Sequence, residues 1–180
     1  MRIFRDMDAN DLKNHVRDVV DFPKPGIVFK DISGLLAFAK ARTATTSLLV
    51  QAFLNDEIDA VVGIEARGFL WGTLMAQELD TKFVMMRKPG KLPGATISQS
   101  YDLEYGTDQL ELQEDAIKSG SRVLIHDDVL ATGGTAAAAA KLVEKAGGAV
   151  LGFSFVMELE FLNGRDKFKG YKVSSVLSYD

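Results

Sequence analysis

The thirteen residues Val123 to Thr135, VLIHDDVLATGGT, constrain the fold more than any other stretch. Val123, Leu124 and Ile125 form a short apolar run of the kind buried in a parallel sheet with both faces covered. Asp127 and Asp128 follow. Then comes a turn of small residues and threonines: Ala131, Thr132, Gly133, Gly134 and Thr135. The next segment, AAAAAKLVEKA, is a strong helix former, ended by Gly147 and Gly148. The predicted order is strand, acidic pair, Gly/Thr turn, helix.

Each part of that order suits a distinct chemistry. In an open α/β sheet, ligands bind outside the carboxyl ends of the strands. The turn sets backbone N–H groups and threonine hydroxyls at a helix N-terminus, where donors are unpaired and the dipole favours an anion. Glycine lets the backbone approach a phosphate closely. Two acceptor-only carboxylates fit a vicinal diol, which offers two O–H donors. A diol beside a phosphate is a ribose 5-phosphate. The phosphate loop GxxxxGK[ST] and the dinucleotide loop GxGxxG are both absent after this strand. Neighbouring strand residues point to opposite faces. Both acids therefore reach one sugar only if the chain has left the strand at Asp127 or Asp128.

Composition narrows the class. A chain of 180 residues is one domain, 1–180, with a single core. A net charge of −4 argues against nucleic acid as the partner. The absence of cysteine excludes disulfides, a thiolate nucleophile and Cys-based metal sites, and suits a cytoplasmic protein. MRIFRDMDAND lacks the apolar run of a signal peptide, and no segment has the 18 or more apolar residues of a membrane span.

Along the chain, Asp8 or Asn10 caps a first helix with an apolar stripe of Leu12, Val16, Val19 and Val20. DFPKPG, Asp21 to Gly26, ends it. Ile27 to Ser33 is a short extended piece. Leu35 to Leu54 reads as helical, with Leu48, Leu49, Phe53 and Leu54 as core. A compact βαβ unit follows: strand Ala60 to Ile64, turn to Gly68, helix Phe69 to Leu79, strand Lys82 to Met86. Ile97 to Tyr105 and Gln109 to Gln113 form a hairpin around Gly106. After the central motif come a strand, Val150 to Met157, a short helix, Leu159 to Phe168, and a last strand, Lys172 to Leu177. The fold class is α/β: an open, mainly parallel twisted sheet with helices on both faces.

Four further segments carry chemistry. GIEARGF, Gly63 to Phe69, sets Arg67 at a strand end, where its planar fork suits phosphate oxygens or a pairing with Glu65. RKPGKLPG, Arg87 to Gly94, gathers Arg87, Lys88 and Lys91 in an otherwise acidic chain, as a second anionic group would need. YDLEYG, Tyr101 to Gly106, is bracketed by glycines and can move as a lid, carrying Glu104 as a proton donor or acceptor. PGIVFKD, Pro25 to Asp31, is an edge strand able to read a flat base through its backbone, with Phe29 stacking or serving as core. His126 reads as a structural strand residue, and Trp71, Met85 and Met86 as core.

The DD–ATGGT stretch resembles the phosphoribosyl-diphosphate (PRPP) signature of the type I phosphoribosyltransferases. DFPKPGIVFKDIS, GIEARGFLWG, RKPGKLPG, YDLEYGTDQLEL and HDDVLATGGT together resemble the adenine-accepting members of that family, over nearly the whole chain. The resemblance implies an N-terminal hood over residues 1–34, a catalytic loop over 87–106 and a homodimer. It implies that Ala131, Thr132, Gly133, Gly134 and Thr135 hold the 5-phosphate, and Asp127 and Asp128 the ribose hydroxyls. Ala66, Arg67, Lys88 and Lys91 would contact pyrophosphate, with Arg87 from the same or the partner subunit. Val28 would read adenine through its backbone, with Phe29 and Val129 on its faces. Glu104 and Arg67 would be the catalytic residues, Glu104 managing the proton at adenine N7. Mg²⁺ would be held through PRPP oxygens and waters rather than by direct protein ligands. Glu65-Ala66 departs from the Asp-Ser of other members, and His126 from an aliphatic residue.

The implied reaction is adenine plus PRPP giving AMP and pyrophosphate. Three alternatives stay open on sequence. One is another acceptor base, such as hypoxanthine, guanine or xanthine. The second is a PRPP-sensing regulator, for which the chain offers neither a basic surface nor room for a DNA-binding module before DFPKPG. The third is a flavodoxin-like FMN binder.

Overall fold

Continuous apolar runs set the central sheet. The computed structural model describes residues 7–102 and 106–180, and the Asp102 side chain is left aside. The chain divides into two compact units, one to Leu48 and one from Leu49 to Asp180.

In the first unit, α1 (Ala9–Lys13) is a single turn with a complete capping box between Asp8 and Asp11. It stops at Asn14. The predicted stripe of Val16, Val19 and Val20 therefore does not lie on a helix. β1 (Arg17–Val20) pairs antiparallel with β2 (Val28–Asp31), opposing Val20 to Val28 and Val19 to Phe29. β-Branched residues prefer the pleated surface, and here that preference overrides a helical spacing. α2 (Ser33–Ala37) and α3 (Ala39–Gln51) follow, the latter running past the boundary between the units. Beyond α3, Phe53 is core, as predicted, but Leu54 is exposed.

The second unit holds a five-stranded parallel sheet in the order β4–β3–β7–β8–β9. β3 (Ala60–Ile64) is buried at every position, and α4 (Gly68–Glu78) carries the chain to β4 (Lys82–Met86). β7 (Arg122–Leu130), α5 (Gly134–Lys145) and β8 (Ala149–Leu159) form the second crossover. The segment read as a short helix before β9 (Lys172–Tyr179) is instead two 3₁₀ turns, Glu160–Leu162 and Gly164–Phe168, broken by Asn163 in the left-handed region. Met85, read as core, is exposed on β4, an edge strand of the sheet. Met86 and Trp71 are fully buried.

The two layers over the sheet differ. Val62, Ile64, Val84, Val123, Ile125, Phe153 and Phe155 form one core with α5. Ala136, Ala138, Ala139 and Ala140 are all buried there. The hairpin β5 (Thr96–Asp102) and β6 (Thr107–Gln113) adds Leu110 and Leu112 to the same core. On the other layer α4 packs Gly72 against Phe83 and Met75 against Ser154. Among the described residues no helix is long and apolar enough to cross a membrane.

Candidate active site

The sheet order creates the site. From β3 the chain turns through α4 toward β4, and from β7 it turns through α5 toward β8, the opposite way. β3 and β7 are neighbours, so their carboxyl ends flank a topological switch point, where open α/β sheets leave a crevice. The loop after β3 carries Arg67, and the end of β7 carries Asp127 and Asp128.

The expectation that the chain leaves the strand at the acid pair fails. β7 runs on to Leu130, and Asp127 and Val129 pair with Phe155 and Met157 of β8. What ends at His126 is the pairing with β3, whose last partner is Gly63. Losing one neighbour frees that side of the strand. Both carboxylates then reach the same short segment. Asp128 is buried and accepts from Arg67 Nε, while a Cβ on Gly68 would stand 3.2 Å from Asp127 Oδ1. Asp127 Oδ1 also accepts the Asp128 amide at 2.8 Å. Burial and the adjacent Asp128 charge push the Asp127 carboxyl well above the usual carboxylate range.

Ala131 to Thr135 form the turn into α5. Gly133 is left-handed, φ 75°, and no side chain caps the helix. The Thr132 and Thr135 hydroxyls make no hydrogen bond among the described residues. The result is a set of unspent donors at the positive end of a helix dipole, an anion site in form. The loop is braced from behind by the 3₁₀ segment. A Cβ on Gly164 would meet the Ala131 carbonyl oxygen at 2.0 Å, and one on Gly133 would meet the Gly164 carbonyl oxygen at 2.7 Å. Sequence reasoning missed Gly164. The Asn-Gly pair at 163–164 was its only local signal.

The basic cluster is already paired. Arg67 is with Asp128. The Glu65 side chain, 8% exposed, accepts from Arg87 Nη2 at 3.0 Å, Lys91 Nζ at 2.8 Å and the Lys88 amide at 2.9 Å. Burial alone would raise its pKa, but these donors outweigh burial and hold it at about 2. Glu65 thus shapes the Arg87–Lys91 loop. Lys88 points its Nζ to Asp108 and, at 2.8 Å, to the Tyr101 hydroxyl, both on the hairpin. Glu65, Tyr101 and Asp108 lie inside the motifs, but the sequence did not show that they partner the Arg87–Lys91 loop. Ala66 is exposed between Glu65 and Arg67, and the Glu65–Ala66 peptide is cis.

Val129 is half-buried on β7. Val28 and Phe29 lie on β2 of the first unit, Val28 exposed and Phe29 edge-on to Phe22 at 5.2 Å. Glu104 lies outside the described residues. His126 is fully buried, and its ring nitrogens lack a partner of normal geometry. Burial lowers its pKa to about 4, the Ser154 backbone offsetting only part of that.

Residues 33–176 match the model of the phosphoribosyl transferase domain. The adenine phosphoribosyltransferase of Flavobacterium johnsoniae is 56% identical over 168 residues, covering 93% of this chain and 99% of its own. The crystal structure of that enzyme from Thermoanaerobacter pseudethanolicus superposes with a TM-score of 0.92 at 48% identity, covering 95% of this chain and 99% of the other. The Saccharomyces cerevisiae enzyme, solved with an imino-altritol bisphosphate and adenine, has a TM-score of 0.88 at 42% identity, covering 94% of this chain and 98% of the other. The chain belongs to the phosphoribosyltransferase family, among its adenine phosphoribosyltransferases.

Proposed function

We propose that this chain transfers the 5-phosphoribosyl group of PRPP to adenine, giving AMP and pyrophosphate. One observation carries the reading. A carboxylate pair near the end of β7 and an uncapped helix N-terminus at Gly134 stand together at the switch point. That is the donor and acceptor set of a phosphorylated pentose.

In this reading the amides and hydroxyls from Ala131 to Thr135 take the 5-phosphate. Asp127 and Asp128 take the ribose hydroxyls. Burial and the neighbouring Asp128 charge raise the Asp127 pKa, which lowers the cost of setting two acids side by side at the sugar. Arg67, Arg87, Lys88 and Lys91, with the Ala66 loop backbone, receive the diphosphate. The ribose becomes oxocarbenium-like as that group departs, and fixed positive charge aimed at the leaving oxygens is the largest single aid. Val28 reads adenine through its backbone with Phe29 on a face of the base, and Glu104 handles the N7 proton. Holding adenine N9 in line with C1′ removes up to about 7–11 kcal/mol of entropic barrier.

Mg²⁺ belongs to this reading. It takes one or two carboxylates, with phosphate oxygens and waters completing its octahedron. Here PRPP oxygens and waters would supply its ligands, leaving Asp127 and Asp128 to the ribose hydroxyls. When bound, the ion supplies positive charge to the departing diphosphate. A homodimer and a cytoplasmic setting complete the proposal. They are supported by the family resemblance and, for the second, by a sequence without cysteine.

The test is pyrophosphate release on mixing the protein with PRPP, Mg²⁺ and each of adenine, hypoxanthine, guanine and xanthine. Turnover with adenine is expected, and turnover only with another base would overturn the adenine assignment.

A further inference from the structure

Each cation assigned to the diphosphate has a resident carboxylate partner, and those partners differ in how easily they can be exchanged. Glu65 gathers donors from Arg87, Lys91 and the Lys88 amide while 8% exposed. Pulling those donors away would leave a buried charge unpaired. Asp128 is as deeply set, with 7% of its side chain exposed. Asp108 is different. It stands on β6 opposite Tyr101 of β5, and its Oδ2 accepts from Lys88 Nζ and, at 3.2 Å, from the Tyr101 hydroxyl. Lys88 also lies 5.4 Å from the centroid of the Tyr101 ring. The two charged side chains are 32% and 29% exposed. Water screens such a pair and replaces either partner cheaply.

We infer that Asp108 is a resident counter-ion of Lys88 that an incoming diphosphate displaces, so that Asp108 sets how tightly the site holds this group. The inference rests on the phosphoribosyl-transfer reading. Asp108 is a positioning residue, since it acts through Lys88 and has no assigned contact with substrate. A pocket of four unopposed cations would retain a polyanionic product. A carboxylate that takes Lys88 back stabilises the vacated site and so favours release. The rival role is a strap, in which Asp108 stays bound and steadies Lys88 for the diphosphate. The two roles have opposite signs, because losing a competitor tightens diphosphate binding and losing a strap weakens it.

The experiment uses Asp108→Asn, which keeps the shape and an acceptor oxygen but removes the charge. Pyrophosphate is added as product inhibitor, varied against PRPP. The inhibition constant is expected to fall about two- to fivefold, as for removal of one competing exposed ion pair. The KM for adenine and the melting temperature stay put, and the difference shrinks at high salt. Asp108→Glu, which restores the charge, should return the constant toward that of the unaltered chain. An unchanged or raised constant in Asp108→Asn overturns the inference, as does Asp108→Glu behaving like Asp108→Asn. If the unaltered chain forms no AMP, the reaction assignment is what has failed. Calorimetric titration with pyrophosphate alone then makes the same comparison without turnover, and no binding by the unaltered chain would also overturn the inference.

Discussion

Arg67 donates from Nε to Oδ2 of Asp128, joining the loop after β3 to the end of β7 across the switch point. The cation assigned to the diphosphate thus holds an acid assigned to the ribose, so the two halves of the proposed PRPP site are linked before any ligand arrives.

Asp128→Asn should raise the KM for PRPP about 10- to 100-fold, since a hydrogen bond to a charged group is worth roughly 1.5–3 kcal/mol. Arg67, with half its side chain exposed, is not stranded by the change. The melting temperature should therefore move little. Steady-state kinetics beside a thermal melt decides this, and an unchanged KM removes Asp128 from the sugar site.

Glu104→Gln should lower kcat about 10²- to 10⁴-fold, the usual size of a general acid–base contribution. The KM for PRPP should stay within a small factor. Equal loss in binding and turnover would mean that the side chain holds ligand rather than moving a proton.

Gly164→Ala should weaken PRPP binding from outside the motif. Its Cβ would press on the Ala131 carbonyl at 2.0 Å, so the phosphate turn must shift. Overpacking of this kind costs about 1–3 kcal/mol. A raised KM for PRPP with an unaltered KM for adenine is expected. A variant that loses stability but keeps its PRPP affinity would reduce Gly164 to a packing role.

His126 should give the fold an acid-sensitive term. Its folded pKa of about 4 lies below the unfolded value near 6.5. The unfolded chain therefore binds the extra proton first. The contribution is complete above pH 6.5 and is lost as pH falls from there to about 4, by up to about 3 kcal/mol. Asp127, raised by burial and by Asp128, has the opposite slope. The informative comparison is thus between the unaltered chain and His126→Phe in urea melts at neutral and mildly acid pH. Identical pH dependence would acquit the imidazole.

Local patterns made much of this legible. Ala60 to Ile64 and Lys82 to Met86 match β3 and β4 residue for residue, because short apolar runs bounded by turn residues leave little choice. The stripe through Val16, Val19 and Val20 misled because spacing carries no information about strand pairing, and β2 supplies a partner eight or more residues away. The acid pair was recognised, yet the way both carboxylates reach the Arg67–Gly68 segment depends on where β3 stops pairing with β7. The cations Arg87, Lys88 and Lys91 stood out as a cluster. Their pairing with Glu65 and Asp108 did not, since each partner lies some twenty residues away on another element. The hairpin register that opposes Tyr101 to Asp108 was the one usable clue.

The run of alanines on α5 has a consequence for catalysis. Side chains of one carbon let a helix axis settle low over a sheet, so the height of the helix start above the strand tips follows from the girth of the residues in its first two turns. Enlarging any of Ala136, Ala138, Ala139 or Ala140 would jack the helix upward and tilt the phosphate cradle with it. Affinity for the proposed sugar phosphate would in this sense be decided by methyl groups with no assigned contact to it.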